Sequence, residues 1–160
     1  MARNKTNNVA AAPVTTAQAL GSLIQSARKI MRKDKGLNGD LDRLPLLTWI
    51  MFLKFLDDLE SQREDEAKLA GKKFRPVIEA PYRWRDWAAD AQGITGDELL
   101  AFINNEEAQR PDGKRGPGLF SYLRALSSSN GDKRRDVIST VFKGVDNRMR
   151  SGYLLRDVVN

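Results

Sequence analysis

The stretch LPLLTWIMFLKFLDDL, residues 44–59, is the most apolar part of the chain and decides its fold. In its first two-thirds only Pro45, Thr48 and Lys54 interrupt the apolar residues, which therefore surround a helix on every side. From Phe52 onward they narrow to a stripe with charged residues opposite. This pattern predicts a central core helix that emerges toward solvent. A buried strand over residues 46–53 is the alternative, but the length of the run and its charged, helix-period continuation favour the helix.

The chain before this helix contains one further helix and a tail. Residues 1–14 are small, polar and aperiodic, and we expect them to be a disordered tail. Thr15 or Thr16 is expected to cap a first helix, because apolar residues recur at i, i+3, i+4 and i+7 between Leu20 and Met31.

The bounds of the central helix are marked by turn and capping residues. Asp42 is expected to cap it, with Pro45 in its first turn, and Gly71 is expected to end it. The prolines that follow forbid a continuous helix, so Trp84 and Trp87 are predicted to lie on a short helix whose aromatic face docks on the core.

The second half of the chain shows several shorter helical patterns. Thr95 and Glu98 form a capping-box pattern for a helix from residue 96 to about 108. Further helices are predicted over residues 119–126 and 133–142, and Ser151 is expected to cap a last one. The sequence thus predicts an all-α fold, an irregular multi-helix bundle around a central apolar helix at about residues 44–60, with little or no strand. The last apolar pattern is still incomplete at residue 160, which suggests a domain of a longer protein.

Composition limits the possible function classes. The 160 residues suit a single domain and carry a net charge of +6, which is compatible with an anionic partner. The chain has no cysteine and no histidine, which excludes disulfides and removes the commonest general base and metal ligand. Residues 1–14 lack the apolar core of a signal peptide, and the central stretch is shorter than the ~20 residues of a membrane span. We therefore expect a cytoplasmic protein without a membrane partner.

The sequence shows no catalytic, cofactor-binding or metal-binding pattern. The GxxxxGK[ST], GxGxxG and GxSxG patterns are all missing, so the glycines of residues 33–40 predict a turn between helices. The acidic groups at 57–58, 64–66 and 106–107 lie on polar sides of predicted helices, where a solvated face is a better interpretation than acid–base chemistry.

Basic residues form two candidate patches for nucleic acid. Cations that alternate with aromatic residues can follow phosphates and stack on bases. The alternative is that the cations are merely solvated and the aromatic residues belong to the core, which we favour for the tryptophans. The 72–85 patch, interleaved with Phe74, Tyr82 and Trp84, consists of Lys72, Lys73, Arg75, Arg83 and Arg85. The 133–150 patch consists of Lys133, Arg134, Arg135, Arg148 and Arg150.

The segment KDKGLNGDLDRLPLLTWIMFLKFLDDLE, residues 33–60, closely resembles the N-terminal helical domain of the M (modification, HsdM) subunit of type I restriction–modification DNA methyltransferases. YRWRDWA (82–88), TGDELLAFIN (95–104) and NRMRSGYLLRDVVN (147–160) resemble the same domain in the same order. The resemblance covers about residues 20–160, so residues 15–160 are interpreted as that helical domain.

The resemblance implies a function for the longer protein. In this family a Rossmann-like catalytic domain follows, which binds S-adenosylmethionine through a Gly-rich motif, holds adenine with an Asn-Pro-Pro-Phe/Tyr motif and methylates adenine N6. This chain contains no Asn-Pro-Pro, so it is expected to lack the catalytic domain, the cofactor site and the activity. By resemblance, two M subunits and one specificity (S) subunit clamp double-stranded DNA, and the restriction (R) subunit is a further candidate partner. The helical domain is implied to help close that clamp without reading sequence.

Two alternatives remain open at the level of sequence. One is a pure protein–protein module that contacts the S or M subunit without touching DNA. The other is a free-standing small helical regulator. An open reading frame that continues past residue 160 into the catalytic motifs would exclude the second.

Overall fold

The computed structural model describes residues 15–160, and the predicted disordered tail, residues 1–14, lies outside them. The fold is helical, as the sequence predicts, and it also contains one small hairpin that the sequence analysis did not predict. The elements in chain order are α1 (Thr16–Met31), α2 (Asp40–Leu69), α3 (Trp84–Trp87), α4 (Gly96–Asn104), β1 (Glu107–Gln109), β2 (Arg115–Pro117), α5 (Leu119–Arg124), a 3-10 turn (Ser128–Asn130), α6 (Lys133–Lys143) and α7 (Gly152–Val159).

Helix α1 begins with a complete capping box. The Thr15 hydroxyl accepts a hydrogen bond from the Gln18 N–H at 3.2 Å, and the Gln18 side chain accepts one from the Thr15 N–H at 2.9 Å. Two of the orphan donors at this end of the helix are thus satisfied. The predicted cap is confirmed at Thr15, but the predicted apolar stripe is incompletely covered, because Leu20 and Leu23 stay exposed.

Helix α2 begins earlier than the sequence predicts. Gly39 immediately precedes the first turn of α2. Its φ of +92° is a backbone conformation that favours glycine. Asp42 therefore lies inside the first turn, where its carboxylate accepts from the Asn38 N–H at 2.8 Å, and the prediction that it caps the helix is wrong. Pro45 consequently lies in the second turn. The predicted end is confirmed: Ala70 is the C-cap of α2, and Gly71, with φ +64°, follows it.

The core lies along one side of α2. The buried residues of α2 are Leu46, Leu47, Trp49, Ile50, Leu53 and Glu60. Trp49 meets the edge of Phe120 on α5, with ring centroids 5.1 Å apart, and Phe120 in turn packs on Phe142 of α6 at 5.5 Å. The opposite side of α2 is less enclosed, since Leu44 and Phe55 remain exposed.

A two-stranded hairpin replaces the predicted end of α4. The helix stops at Asn104 rather than near residue 108, and β1 pairs antiparallel with β2 in the register Ala108↔Gly116. Thr95 occupies the cap position, but its side chain accepts no hydrogen bond, so the predicted capping box is not formed. Gly118, just before α5, lies close against the end of α4. A Cβ at this residue would overlap the Asn105 carbonyl oxygen, so the close approach requires glycine.

The last two helices complete the body. In α6 Ile138 and Phe142 are buried, whereas Val137 and Val141 are exposed. Ser151 caps α7 as predicted, accepting from the Leu154 N–H at 3.2 Å.

The carboxylate of Asp34 joins the start and the end of the described chain. It is only 4% exposed and accepts hydrogen bonds from the backbone N–H groups of Gly36, Arg150 and Ser151, at 2.7 to 3.1 Å. The loop after α1 is thereby fixed to the residues that precede α7. Within residues 15–160, no helix combines the length and the apolarity that crossing a membrane requires.

Candidate nucleic-acid interface

The 72–85 patch lies on a segment that returns along α2. Val77 and Ile78 are buried, and the Val77 N–H donates to Glu60 at 2.7 Å. Glu60 is only 5% exposed, although its position among charged residues predicts a solvated side chain. A buried carboxylate on α2 thus fixes the course of the segment that carries the cations.

Three aromatic residues in and just after this segment belong to the core, whereas Phe74 is only partly buried. Tyr82, Trp84 and Trp87 are buried. Tyr82 stacks on Tyr122 with centroids 3.8 Å apart and donates its hydroxyl to the Pro117 carbonyl at 2.8 Å. The core interpretation of these rings is therefore confirmed, and stacking on nucleic-acid bases by Tyr82 and Trp84 is excluded in this conformation.

Two cations of the 72–85 patch are engaged by neighbouring carboxylates. Arg83 forms a two-pronged pair with Asp86, with N···O distances of 2.9 and 2.8 Å, and this hydrogen bonding raises the pKa of the arginine. Arg85 donates to Asp57 at 2.9 Å and to Glu64 at 3.3 Å. The interpretation of Asp57 as part of a solvated face is wrong, because it is a half-buried partner of Arg85. Both guanidinium groups are consequently neutralised within the domain.

The other three cations of this patch are available. Lys72, Lys73 and Arg75 are exposed and form no ion pair with any residue between 15 and 160. The chain therefore presents their charge to solvent, where a diffusible anion or a phosphate backbone can reach it.

The structure divides the 133–150 patch in two. Its first part lies beside the 72–85 segment: Arg134 reaches Glu60 at 3.3 Å, and Arg135 lies 3.9 Å from Glu79. Arg134 also pairs with Asp132 at 2.6 Å, which lowers the pKa of that carboxyl and raises that of the arginine. Lys133 is exposed and, within the described chain, has no ion pair.

Around Glu60 the two predicted patches therefore meet. We call the unengaged cations of this region the first cationic surface, and it consists of Lys72, Lys73, Arg75 and Lys133.

The second part of the 133–150 patch lies at the Asp34 junction. Arg148 pairs with Asp42, and Arg150 is exposed beside Gly36, with its backbone N–H bonded to Asp34. Exposed cations of the loop after α1 flank the same junction. We call this group the second cationic surface, and it consists of Arg32, Lys33, Lys35, Arg148 and Arg150.

Sequence reasoning missed three of these five residues. Arg32, Lys33 and Lys35 were not among the predicted site residues. The available signal was their proximity to the turn at Gly36 and Gly39, since a turn places them at an end of the bundle.

The described residues do not fit a site for S-adenosylmethionine. The Rossmann-like site that the resemblance implies lies at the carboxyl edge of a parallel sheet, beside a glycine-rich turn. Here the one sheet of residues 15–160 is an antiparallel pair of three-residue strands. A cleft of about 310 Å³ lies between α2 and the 72–85 segment, but the charges of Asp57, Glu64 and Arg85 in its lining already pair with one another. Nor does any group of three acidic side chains in the described region converge as a metal site.

Comparison with known proteins gives three consistent matches. Residues 20–160 match the model of the HsdM N-terminal domain. The chain is 37% identical over 143 residues to the type I restriction enzyme EcoEI methylase subunit of Escherichia coli. It is 74% identical to a modification subunit of a putative type I restriction enzyme from Vibrio vulnificus YJ016, whose crystal structure superposes with a TM-score of 0.88 over 94% of the chain.

The chain spans only part of these relatives, 26% of the Escherichia coli subunit and 31% of the Vibrio vulnificus chain. The match to the family model, by contrast, extends over nearly all the residues that the structure describes. The chain therefore belongs to the HsdM N-terminal domain family.

Proposed function

We propose that residues 15–160 form the N-terminal domain of a type I modification subunit that serves subunit assembly and nonspecific DNA clamping rather than methyl transfer. The full-length subunit would be an adenine-N6 DNA methyltransferase, with its S-adenosylmethionine site and catalytic residues in the region that follows this domain. Its partners would be double-stranded DNA, a specificity subunit and a second modification subunit, with the restriction subunit as a further candidate.

The observation that carries this proposal is the first cationic surface. The domain neutralises Arg83, Arg85 and Arg134 internally, yet within residues 15–160 it leaves Lys72, Lys73, Arg75 and Lys133 exposed and without an ion pair. Lysine and arginine side chains that reach a phosphate backbone give affinity without sequence information. The burial of Tyr82 and Trp84 supports the same conclusion, because it removes two of the three rings of this patch that could contact bases.

The first experiment is a titration of the domain with random-sequence duplex DNA at several salt concentrations. Each neutralised phosphate contributes a slope of about −0.9 to the plot of log K against log salt. Lys72→Glu/Lys73→Glu is expected to make the slope shallower by about 2 and to weaken binding at every salt concentration. The matched control, Lys114→Glu/Lys143→Glu, makes the same charge change on exposed residues outside both surfaces and is expected to retain most of the slope.

Equal losses of DNA affinity and of salt slope in the two variants would mean that only the net charge of the domain matters. That result would contradict a defined DNA-binding surface. Absence of binding even at low salt would favour the protein–protein alternative. In that case Lys72→Glu/Lys73→Glu should weaken assembly with the specificity or modification subunit, measured by sedimentation without DNA.

A further inference from the structure

The sequence contains two asparagine–glycine pairs, Asn38–Gly39 before α2 and Asn130–Gly131 at the end of the 3-10 turn. In such a pair the backbone nitrogen of the glycine can attack the side-chain carbonyl carbon of the asparagine. Glycine hinders this attack least, because it carries no Cβ and restricts the backbone least. Sequence alone therefore makes both pairs candidates for the loss of the asparagine amide.

The two glycines have nearly the same local geometry. Gly39 has φ +92° and Gly131 has φ +83°. A Cβ added at either glycine would meet nothing within 4 Å. Backbone conformation and free space at the glycine thus do not distinguish the two pairs.

The hydrogen bonding of the attacking nitrogen does distinguish them. The Gly131 N–H donates to the Ser128 carbonyl at 2.6 Å. The Gly39 N–H donates to no acceptor among residues 15–160, and the Asn38 side chain before it is exposed. The nitrogen must give up its proton to attack, and a hydrogen-bonded amide gives up its proton slowly, as in hydrogen exchange. The first pair is therefore the reactive one in the folded domain.

We propose that Asn38 is a site of deamidation and that Asn130 is protected from it. The Gly39 nitrogen bonds to the side-chain carbonyl carbon of Asn38, the bond from that carbon to the amide nitrogen breaks, and the proton of the Gly39 N–H leaves with the amide as ammonia. The product is a cyclic succinimide. Water then opens the ring at either carbonyl and leaves aspartate or isoaspartate at residue 38, and neither step needs an oxidant or a reductant. The inference does not depend on the proposed function.

The modification changes the surroundings of the second cationic surface. The Asn38 N–H donates to Asp42 at 2.8 Å, and Asp42 pairs with Arg148 of that surface. A new carboxylate at residue 38 adds a negative charge beside this pair and lowers the net charge of the chain from +6 by one. Isoaspartate also inserts a methylene into the backbone ahead of Gly39, which displaces the N–H of residue 38 from Asp42. The site thus links the age of the protein to the charge of this surface and to the start of α2.

Peptide mapping tests the proposal directly. The 160-residue chain is incubated at mildly alkaline pH and digested with trypsin, which releases residues 36–43 with Asn38 and residues 125–133 with Asn130. Mass spectrometry follows the replacement of the amide by a carboxyl group in each peptide over time. The second pair is the matched internal control, because it has the same two residues and a similar φ at the glycine. A parallel sample in urea removes the fold from both pairs.

In the folded chain Asn38 should deamidate at least about tenfold faster than Asn130, since hydrogen-bonded amides are protected from proton loss. In urea the two rates should converge, because the Gly131 hydrogen bond is lost. Equal rates in the folded chain, or a faster reaction at Asn130, would overturn the proposal. So would an Asn38 that reacts in urea but not in the folded chain, which would show that the loop holds its side chain away from the Gly39 nitrogen.

Two variants assign the reaction to residue 38 by the charge of the intact protein. Cation-exchange chromatography should resolve a less basic species from the aged wild type, and Asn38→Asp should elute with that species from the start. Asn38→Gln has a longer side chain that closes the ring less readily, so it should form the less basic species much more slowly. Formation of that species at the wild-type rate in Asn38→Gln would place the reaction at another residue and contradict the proposal.

Discussion

The carboxylate of Glu60 accepts a hydrogen bond from the backbone N–H of Val77 at 2.7 Å, across 17 residues of sequence, and both residues are buried. Its other oxygen lies 3.3 Å from Arg134 of α6. One side chain of α2 thus positions both segments that contribute to the first cationic surface.

Glu60→Ala should therefore destabilise the domain. The Val77 N–H would be left buried without an acceptor, which costs about 1–3 kcal/mol. Urea unfolding followed by circular dichroism measures the change in the free energy of unfolding. Glu66→Ala, an exposed residue of the same helix, is the control and should stay within about 0.5 kcal/mol of the wild type. Equal effects of the two substitutions would show that the Glu60 contact is not structural.

Arg85→Ala and Lys73→Ala should separate folding from DNA affinity. Arg85 is engaged by Asp57, whose side chain is 11% exposed, so its removal should lower the free energy of unfolding by about 1–3 kcal/mol. The salt slope of DNA binding should remain that of the wild type. Lys73→Ala should leave the stability unchanged and make the slope shallower by about 0.9. A loss of slope in Arg85→Ala would mean that the arginine leaves its carboxylate to contact DNA.

Gly152→Ala should impair folding through a close backbone crossing. A Cβ at residue 152 would overlap the backbone of Gly96 at the start of α4. Backbone cannot move aside as a side chain can, so we expect a loss of about 3 kcal/mol or more. Gly21→Ala is the control: its Cβ meets nothing within 4 Å inside α1 and should stabilise the domain by about 0.5–1 kcal/mol. A tolerated alanine at residue 152 would contradict the crossing of α4 and α7.

Acid should destabilise the domain in part through Asp132. Hydrogen bonding by the Arg134 side chain lowers the pKa of this carboxyl below its ordinary value of 3.8. A folded-state pKa below the unfolded one stabilises the protein above pH 3.8, and that stabilisation is lost as the pH falls through the folded value. Asp132→Asn keeps an acceptor for the helix cap but removes the charge. Urea unfolding is measured from pH 7 to pH 3. The free energy of unfolding should fall less with acid in Asp132→Asn than in the wild type, and an equal fall would contradict a stabilising role for the Asp132 charge.

The long helices were predictable because their periodicity is local. The pattern of residues 16–31 and the apolar run of α2 each specify a helix without knowledge of its neighbours. The β1–β2 hairpin was missed because each strand has only three residues, too few to show alternation. The start of α2 was misplaced because the positive φ of Gly39 lets the helix begin ahead of Asp42.

The candidate site was only half predictable, since charge clusters are visible in sequence but their pairing is not. Arg85 meets Asp57 across 28 residues, and Arg134 meets Glu60 across 74. Which cations stay unpaired is decided by those tertiary contacts, and so is the division of the 133–150 patch. Nothing local distinguishes Lys73 from Arg85.

The Asp34 junction also has a consequence for the order in which the domain matures. The carboxylate and its partner at Arg150 are 116 residues apart. At a synthesis rate of about 5–20 residues per second, Arg150 is added to the chain roughly 6–23 s after Asp34. Until then the loop after α1 lacks the backbone donors that fix it. The second cationic surface is thus a late product of translation, and a nascent chain displays its two halves separately until α7 is about to be made.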